Sequence, residues 1–391
     1  MIWRSRIFFA LLTFSFLTAM STVVRADLVI TMGGDVNFNR SRQLPNPDGA
    51  DRDGVRPFSS YSKGIKPLLD GDLNFANIET VVTERTDLRL VPKTFNFQSH
   101  PNAIRHLLDL GFNLFSLANN HAQDYGTEGI QETLRTFQEL GQERAIAYAG
   151  IGTTLEAAAT PVVFEVNGHT IAFAAIGISA AYAAGVNTPG VLAYSNETHY
   201  RLVLKKMRES RADLKILSIH SGTEMQTSLD EGQRERFRRA IREGGVDLVI
   251  GHHPHVVRPL EMIDGKLIIY SLGNYLMLGA ASLDGNTLGK DYGLFTRAYF
   301  GVSPKTGRLK IQALEAIPLR TMHVQPRPMD PENAARHIDY LNELSRTELG
   351  DSAVRFNLRH NGTGVACDGS ATEFTERAAA ACADYVTPRL R

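Results

Sequence analysis

The chain has 391 residues, 43% of them hydrophobic and 21% charged, which excludes a disordered polymer and leaves enough apolar material for a large core. Its 42 basic and 42 acidic residues balance, so nothing suggests bulk attraction to nucleic acid or to an anionic membrane. Length allows two or three domains, although a single α/β domain can reach about 250 residues.

Residues 1–26 are expected to be a secretory signal peptide. Arg4 and Arg6 precede an apolar run over 7–20, and Val24-Arg25-Ala26 offers small residues at the cleavage positions. The mature chain would then start near Asp27 and be periplasmic or extracellular. The alternative is a membrane anchor over 7–24, but the run falls short of the about 20 apolar residues that a span needs.

The run 28–32 is a predicted strand ending in Gly33-Gly34-Asp35. Residues 40–60, rich in Pro, Asp, Gly and Arg, read as a surface loop. A second strand follows over 73–78. Residues 101–110 carry Ile104, Leu107 and Leu108 on one helical face, with Gly111 as the stop. The strand 113–118 runs into Asn119-Asn120-His121. A helix over 127–140 repeats Ile130, Leu134 and Phe137, and a strand covers 145–149. The runs 162–166 and 170–176 flank Asn167-Gly168, a hairpin signal. A helix over 200–209, a strand over 214–219 ending at His220, a charged helix over 231–243 and a strand over 246–250 follow. Asp264-Gly265 marks a second hairpin, and 292–302 pairs with 309–317. Strand–helix alternation followed by neighbouring strand pairs argues a mixed α/β fold.

The expected organisation is therefore a leader over 1–26, one domain over 27–325 and a helical and loop-like appendage over 326–391. Cys367 and Cys382, the two cysteines, are expected to form a disulfide in an oxidising compartment. It would staple the tail, contributing roughly 3 kcal/mol in the chain-entropy model.

Polar clusters follow the apolar runs. Asp35 suits either a turn or a divalent cation, with Asn37 two residues on. Glu79 follows 73–78, and Asn77 shares its direction. Asn119-Asn120-His121 is a poor choice for packing: Asn120 can ligate a metal through its carbonyl oxygen, and His121 can act as an acid, its tautomer fixed by Asp124. His220-Ser221-Gly222-Thr223-Glu224 reads as a site loop. The most informative segment is Gly251-His252-His253-Pro254-His255, where three imidazoles within four residues leave a strand end. Asn274, after 267–270, either contacts the site or simply turns the chain, and a role in support of the site is the favoured reading. His100, His106, His169, His199, His323 and His360 are isolated and receive no function. Asp, Glu, Asn and His together suit Mn, Fe or Zn better than Ca. The donors exceed what one tetrahedral ion needs, which points to two ions about 3.5–4 Å apart.

These segments resemble the CapA family of poly-γ-glutamate capsule biosynthesis proteins. The resemblance rests on Gly34-Asp35, Asn77-Ile78-Glu79, Ala118-Asn119-Asn120-His121-Ala122-Gln123-Asp124-Tyr125-Gly126, His220-Ser221-Gly222-Thr223-Glu224, Gly251-His252-His253-Pro254-His255-Val256 and Ser271-Leu272-Gly273-Asn274-Tyr275. The family is similar to calcineurin-like metallophosphoesterases. This implies a four-layer α/β/β/α sandwich with a dinuclear centre at the strand ends. Asp35 would be the first metal-binding carboxylate and Glu79 the bridging one. Asn120 and His121 match the Asn-His pair, His220 the lone His, and His253 and His255 the His-x-His pair. Asn37 stands where those enzymes place a His, Glu79 replaces an Asp, and His252 is an extra imidazole.

Two functions follow. In the first, Asp35, Glu79, Asn120, His220, His253 and His255 hold one or two ions, and His121 with Asp124 protonates a leaving group. The substrate is a phosphoester, or an amide in a peptide or polyglutamate. His252, Glu224 and Asn274 are the candidate substrate contacts, with Arg258 and Arg40 as candidate anion contacts. In the second, the same cleft binds an anionic polymer without turnover in a capsule synthesis or export complex. Either implies membrane-bound ligase or export subunits as partners, and no nucleic acid.

Overall fold

The computed structural model describes residues 26–38, 57–179, 181–278, 280–304, 306–371 and 373–383. The expected leader up to residue 25, and Arg40, lie outside them. Among the described residues no helix is long and apolar enough to cross a membrane.

Two sheets face each other. The ten-stranded sheet runs in the order Asn357–Leu358, Gly364–Cys367, Leu309–Arg320, Gly293–Val302, Leu28–Asn37, Leu73–Ile78, Leu114–Ser116, Ala147–Ala149; Asn274–Met277 pairs with Leu28–Asn37 and Arg327–Pro328 with Leu309–Arg320. The six-stranded sheet runs Leu260–Ile263, Lys266–Ile269, Leu248–His252, Leu214–His220, His169–Gly177, Val162–Val166. The central strands of each are parallel. Strands covered on both faces must be apolar nearly throughout, and Leu73–Ile78 and Leu248–His252 are buried at every residue.

Phe75 of the large sheet meets Phe173 of the small one with ring centroids 6.1 Å apart, so the core lies between the sheets. On the outer face of the large sheet Phe115 meets Phe137 of the helix Gly126–Glu143 at 5.6 Å. On the outer face of the small sheet Phe237, from the helix Glu231–Gly244, stacks on Tyr270 at 5.2 Å. The layers are therefore helix, sheet, sheet, helix, as the resemblance implied.

Both hairpin turns form where expected. Asn167-Gly168 and Asp264-Gly265 each place two successive residues at positive φ, the geometry of the tight turn that suits twisted strands. The first strand differs from expectation. It runs on to Asn37, past the Gly-Gly pair, because it changes partner: Leu28–Met32 pairs antiparallel with Gly293–Val302, and Asp35–Asn37 pairs parallel with Asn274–Met277. The register breaks around Asp35, so the carboxylate sits in a bulge within the strand rather than in a loop after it. The C-terminal segment adds Gly364–Cys367 and, outside it, the edge strand Asn357–Leu358 to the large sheet, and the disulfide Cys367–Cys382 ties the helix Glu376–Cys382 to it.

Gly34 makes the bulge possible. A Cβ there would stand 1.8 Å from the Gly273 carbonyl oxygen, which accepts the Asp35 N–H at 3.0 Å. Gly34→Ala should therefore destabilise the fold by at least about 3 kcal/mol, the upper end for an overpacked core. Thermal unfolding beside the wild type measures this; an unchanged Tm would show that the two strands can part without loss.

Candidate metal centre

In both sheets the parallel strands end on the same side, where open α/β folds collect their ligands. Glu79, Asn120, His220, His253 and His255 lie at or beyond strand ends there, and Asp35 joins them from the bulge within its strand. Gly177 lets the small sheet touch the loop after Leu114–Ser116 at this end: a Cβ on it would stand 2.2 Å from the Ala118 carbonyl oxygen, beside Asn119. The segment 252–255 turns tightly, with His253 at φ 98 and His255 at φ 57. Non-glycine residues rarely adopt such angles, and they persist where the surroundings impose them. Here the His253 N–H points at Asp35 Oδ2 at 3.4 Å, and the Pro254 carbonyl accepts from Met225 N at 2.9 Å.

Donor atoms of Asp35, Glu79 and His255 form one group within 4.8 Å, and those of Glu79, His220 and His253 form another. Glu79 belongs to both. His220 Nε2 lies 3.4 Å from Glu79 Oε1 and 2.8 Å from Asn120 Oδ1, and His255 Nε2 lies 4.0 Å from Glu79 Oε1. Two ligands about 2.1 Å from one ion stand roughly 3–3.4 Å apart; the His220–Glu79 spacing matches this, the His220–Asn120 spacing is shorter and the His255–Glu79 spacing longer.

Glu79 supplies the test of fit. It has no exposed surface, and neither carboxylate oxygen has a hydrogen-bond partner among the described residues. Burial, and then the nearby Asp35 charge, push its pKa well above the carboxylate range. An unpartnered buried carboxylate costs on the order of several kcal/mol and calls for a cation. The imidazoles answer the same demand. Burial holds His220 well below its ordinary pKa, and burial with His255 nearby lowers His253 to about 3, so both rings are neutral, the form able to ligate a metal. Burial also works against a charge on His255, but Glu79 and Asp35 outweigh it and push that pKa up to about 10. Asp35 is likewise opposed by burial, and its contacts with His252 and His255 hold it well below the usual range. The donor set fits one or two divalent ions.

Beside this set, His121 Nδ1 pairs with Asp124 Oδ2 at 2.8 Å. Asp124 has no exposed side-chain surface and also pairs with Lys93, whose Nζ donates to the Asn120 carbonyl oxygen at 3.0 Å. Burial lowers the His121 pKa against the pull of Asp124, so the ring rests neutral with Nε2 as its lone-pair nitrogen.

The structure changes several expected roles. His252 does not face a substrate: it has no exposed surface, stacks on Phe75 at 5.4 Å and lies 3.4 Å from Asp35 Oδ1 behind the ligands. Asn274, also buried, accepts from His255 Nδ1 at 2.8 Å and thus supports a ligand rather than a substrate. Arg258 is no anion contact. It is wholly buried and donates to Asp230, Gln233 and the carbonyls of Thr223 and Gln226, pinning the loop that carries Glu224. Glu224 does face the opening: its side chain is 57% exposed and its Oε1 lies 3.9 Å from His253 Nε2. Asn37 is buried on the strand beside the set. Asn77 donates to Asp35 Oδ1 at 2.8 Å and lies 3.2 Å from His220 Nδ1, holding both. Sequence reasoning missed Lys93, which sits in an aperiodic stretch far from Asp124, and His323, which contacts Asn274.

A model of the family described as "Bacterial capsule synthesis protein PGA_cap" matches residues 29–278, well over half of the chain. The chain belongs to the PGA_cap family. The match takes in Asp35, Glu79, Asn120, His220, His253 and His255. The chain is similar to the PGA biosynthesis protein CapA of Bacillus subtilis, 33% identical over 250 residues, covering 62% of this chain and 61% of that protein. It is also similar to the capsule biosynthesis protein CapA of Bacillus anthracis, 27% identical over 258 residues, covering 64% and 59%. The match thus spans about three-fifths of these relatives. Among solved structures, the calcineurin-like phosphoesterase YfkN of Bacillus subtilis aligns with a TM-score of 0.41 at 12% identity, over 81% of this chain and 97% of that one.

The charge balance at Glu79 gives a pH prediction for metal-stripped protein. With its folded pKa raised from 6.5 to about 10, His255 contributes stability that is fully present below about pH 6.5 and lost as pH rises through about 10. Between these values Tm should fall more steeply in stripped wild type than in stripped His255→Gln. Equal slopes would show that His255 does not neutralise the carboxylates.

Proposed function

We propose that this PGA_cap chain is an exported, metal-dependent hydrolase of bacterial capsule-polymer metabolism. Its substrate is an anionic polymer or peptide, cleaved at a phosphoester or at a peptide or polyglutamate amide. The reading is carried by Glu79, a buried carboxylate without hydrogen bonds among the described residues that is common to two groups of side chains able to ligate a metal. The family's capsule role and the names of the Bacillus relatives support the polymer, and with it membrane-bound ligase or export subunits as partners. Export rests on the leader-like residues 1–26.

Asp35 and His255 would hold one ion, Asn120, His220 and His253 the other, with Glu79 between them. Bound there, Mn, Fe or Zn would polarise the scissile phosphoryl or carbonyl oxygen and acidify the attacking water. His121 moves the proton. Asp124 anchors its Nδ1–H, so Nε2 accepts a proton from the water side and returns it to the leaving group. Lys93 fixes Asp124 from the other side and holds the Asn120 backbone. Glu224, on the rim, offers an acceptor to a substrate N–H.

Metal content by plasma mass spectrometry, followed by a phosphodiester and peptide substrate screen, tests this. Wild type should carry up to two transition-metal ions per chain, lost in His253→Ala/His255→Ala. His121→Ala should keep its metal and lose turnover by about 10²- to 10⁴-fold. No metal after reconstitution with Mn, Fe and Zn would overturn the hydrolase and leave a polymer-binding cleft. Full turnover in His121→Ala would remove that imidazole from the chemistry.

A further inference from the structure

His323 lies outside the stretch that the family model matches, and its place in the sequence gives it no neighbours of interest. The fold nevertheless carries it to the candidate metal centre. The strand Leu309–Arg320 ends in a turn with Thr321 at φ 57. Thr321 N donates to Asp284 Oδ1 at 3.1 Å, and the N–H groups of Val324 and Gln325 donate to the Thr321 carbonyl at 3.0 and 2.9 Å. Met322 is fully buried, and its carbonyl accepts from Met277 N at 2.9 Å, locking the turn to the strand Asn274–Met277. His323 is therefore held on several sides with only 8% exposure.

Its Nε2 lies 3.3 Å from Asn274 Nδ2. On the other side of the same amide, Asn274 Oδ1 lies 2.8 Å from His255 Nδ1. An amide has one donor end and one acceptor end, and its two orientations occupy the same space. A lone pair on His323 decides between them, because only the NH₂ end can donate to it. Burial lowers the His323 pKa, which keeps the ring neutral with one N–H and one lone pair; the tautomer protonated on Nδ1 turns the Nε2 lone pair to the amide. With the NH₂ end taken, the carbonyl end must face His255. Nδ1 of His255 then carries its proton toward Asn274, and Nε2 is left for an ion beside Glu79.

We infer that His323 is a positioning residue for the candidate metal centre: it sets the orientation of the Asn274 amide, which in turn presents His255 Nε2 to the ion. The inference rests on the metal-centre reading for its consequence, but the His323–Asn274 hydrogen bond stands or falls separately. Outer partners of metal-bound imidazoles act in this way, and their loss costs about 10- to 100-fold in metal affinity.

The experiment compares His323→Leu with His323→Gln, whose side-chain carbonyl can still accept from Asn274. Two readouts are taken on the full chain. The first is side-chain amide exchange of Asn274 by NMR in the metal-stripped protein. The second is affinity for Mn²⁺ and Co²⁺ by equilibrium dialysis, with the visible spectrum of the Co²⁺ form. Expected are faster Asn274 exchange and about 10- to 100-fold weaker binding in His323→Leu, with an altered Co²⁺ spectrum, and recovery of all three in His323→Gln. If wild type binds neither ion but Asn274 exchange still depends on residue 323, the hydrolase reading fails and the positioning contact stands. Unchanged exchange and unchanged affinity in His323→Leu would overturn the inference. Should His323→Leu not fold, wild-type exchange and affinity in His323→Ala would overturn it equally.

Discussion

Everything at the strand ends of this protein answers to one buried carboxylate. Glu79 sits in a low-dielectric pocket with no hydrogen bond to either oxygen from the described residues. Such a group stays ionised only beside positive charge, and otherwise takes up a proton. The surrounding imidazoles share that burden unequally. His220 and His253 are kept neutral by burial, whereas His255 is driven toward the imidazolium by Glu79 and Asp35. The neutral rings offer lone pairs, and the charged one marks where positive charge is most strongly demanded.

The backbone keeps those groups close. Asp35 lies in a bulge at the point where its strand exchanges an antiparallel partner for a parallel one. Gly34 lets the Gly273 carbonyl approach, and Gly177 lets the small sheet touch the loop that carries Asn119 and Asn120. Around the donors, amides do the orienting. Asn77 links Asp35 and His220, Asn119 accepts from the His121 N–H at 3.1 Å and donates to the Ile78 carbonyl at 2.8 Å, and Asn274 links His255 and His323. Amides suit this task because each has both a donor and an acceptor end and adds no charge to a site already crowded with carboxylates.

Much of this was legible in the linear chain. Parallel strands buried on both faces must be apolar runs, so a polar cluster at the end of a run marks the end of a strand. That pattern located Asp35, Glu79, Asn120, His121, His220, His253 and His255. The two Asn-Gly and Asp-Gly turns were equally plain, because positive φ at two successive residues restricts the choice of side chain. Roles were less legible than positions. His252 looked like a further ligand or substrate contact, but the alternation of a strand sends it behind the site onto Phe75. Arg258 looked like an anion contact, but it is consumed in pinning the Glu224 loop.

The sequence by itself determined a mixed α/β fold, the kinds of donor present and their order along the chain, because these follow from local periodicity and from the chemistry of single side chains; the four layers came only as what the family resemblance implied. Only the tertiary structure decided how the donors divide into two groups sharing Glu79, and that Lys93 and His323 belong with them. Lys93 meets Asn120 across 27 residues, and His323 meets Asn274 across 49. Such contacts leave no periodic trace. They exist because two sheets, packed face to face, bring distant loops to one edge.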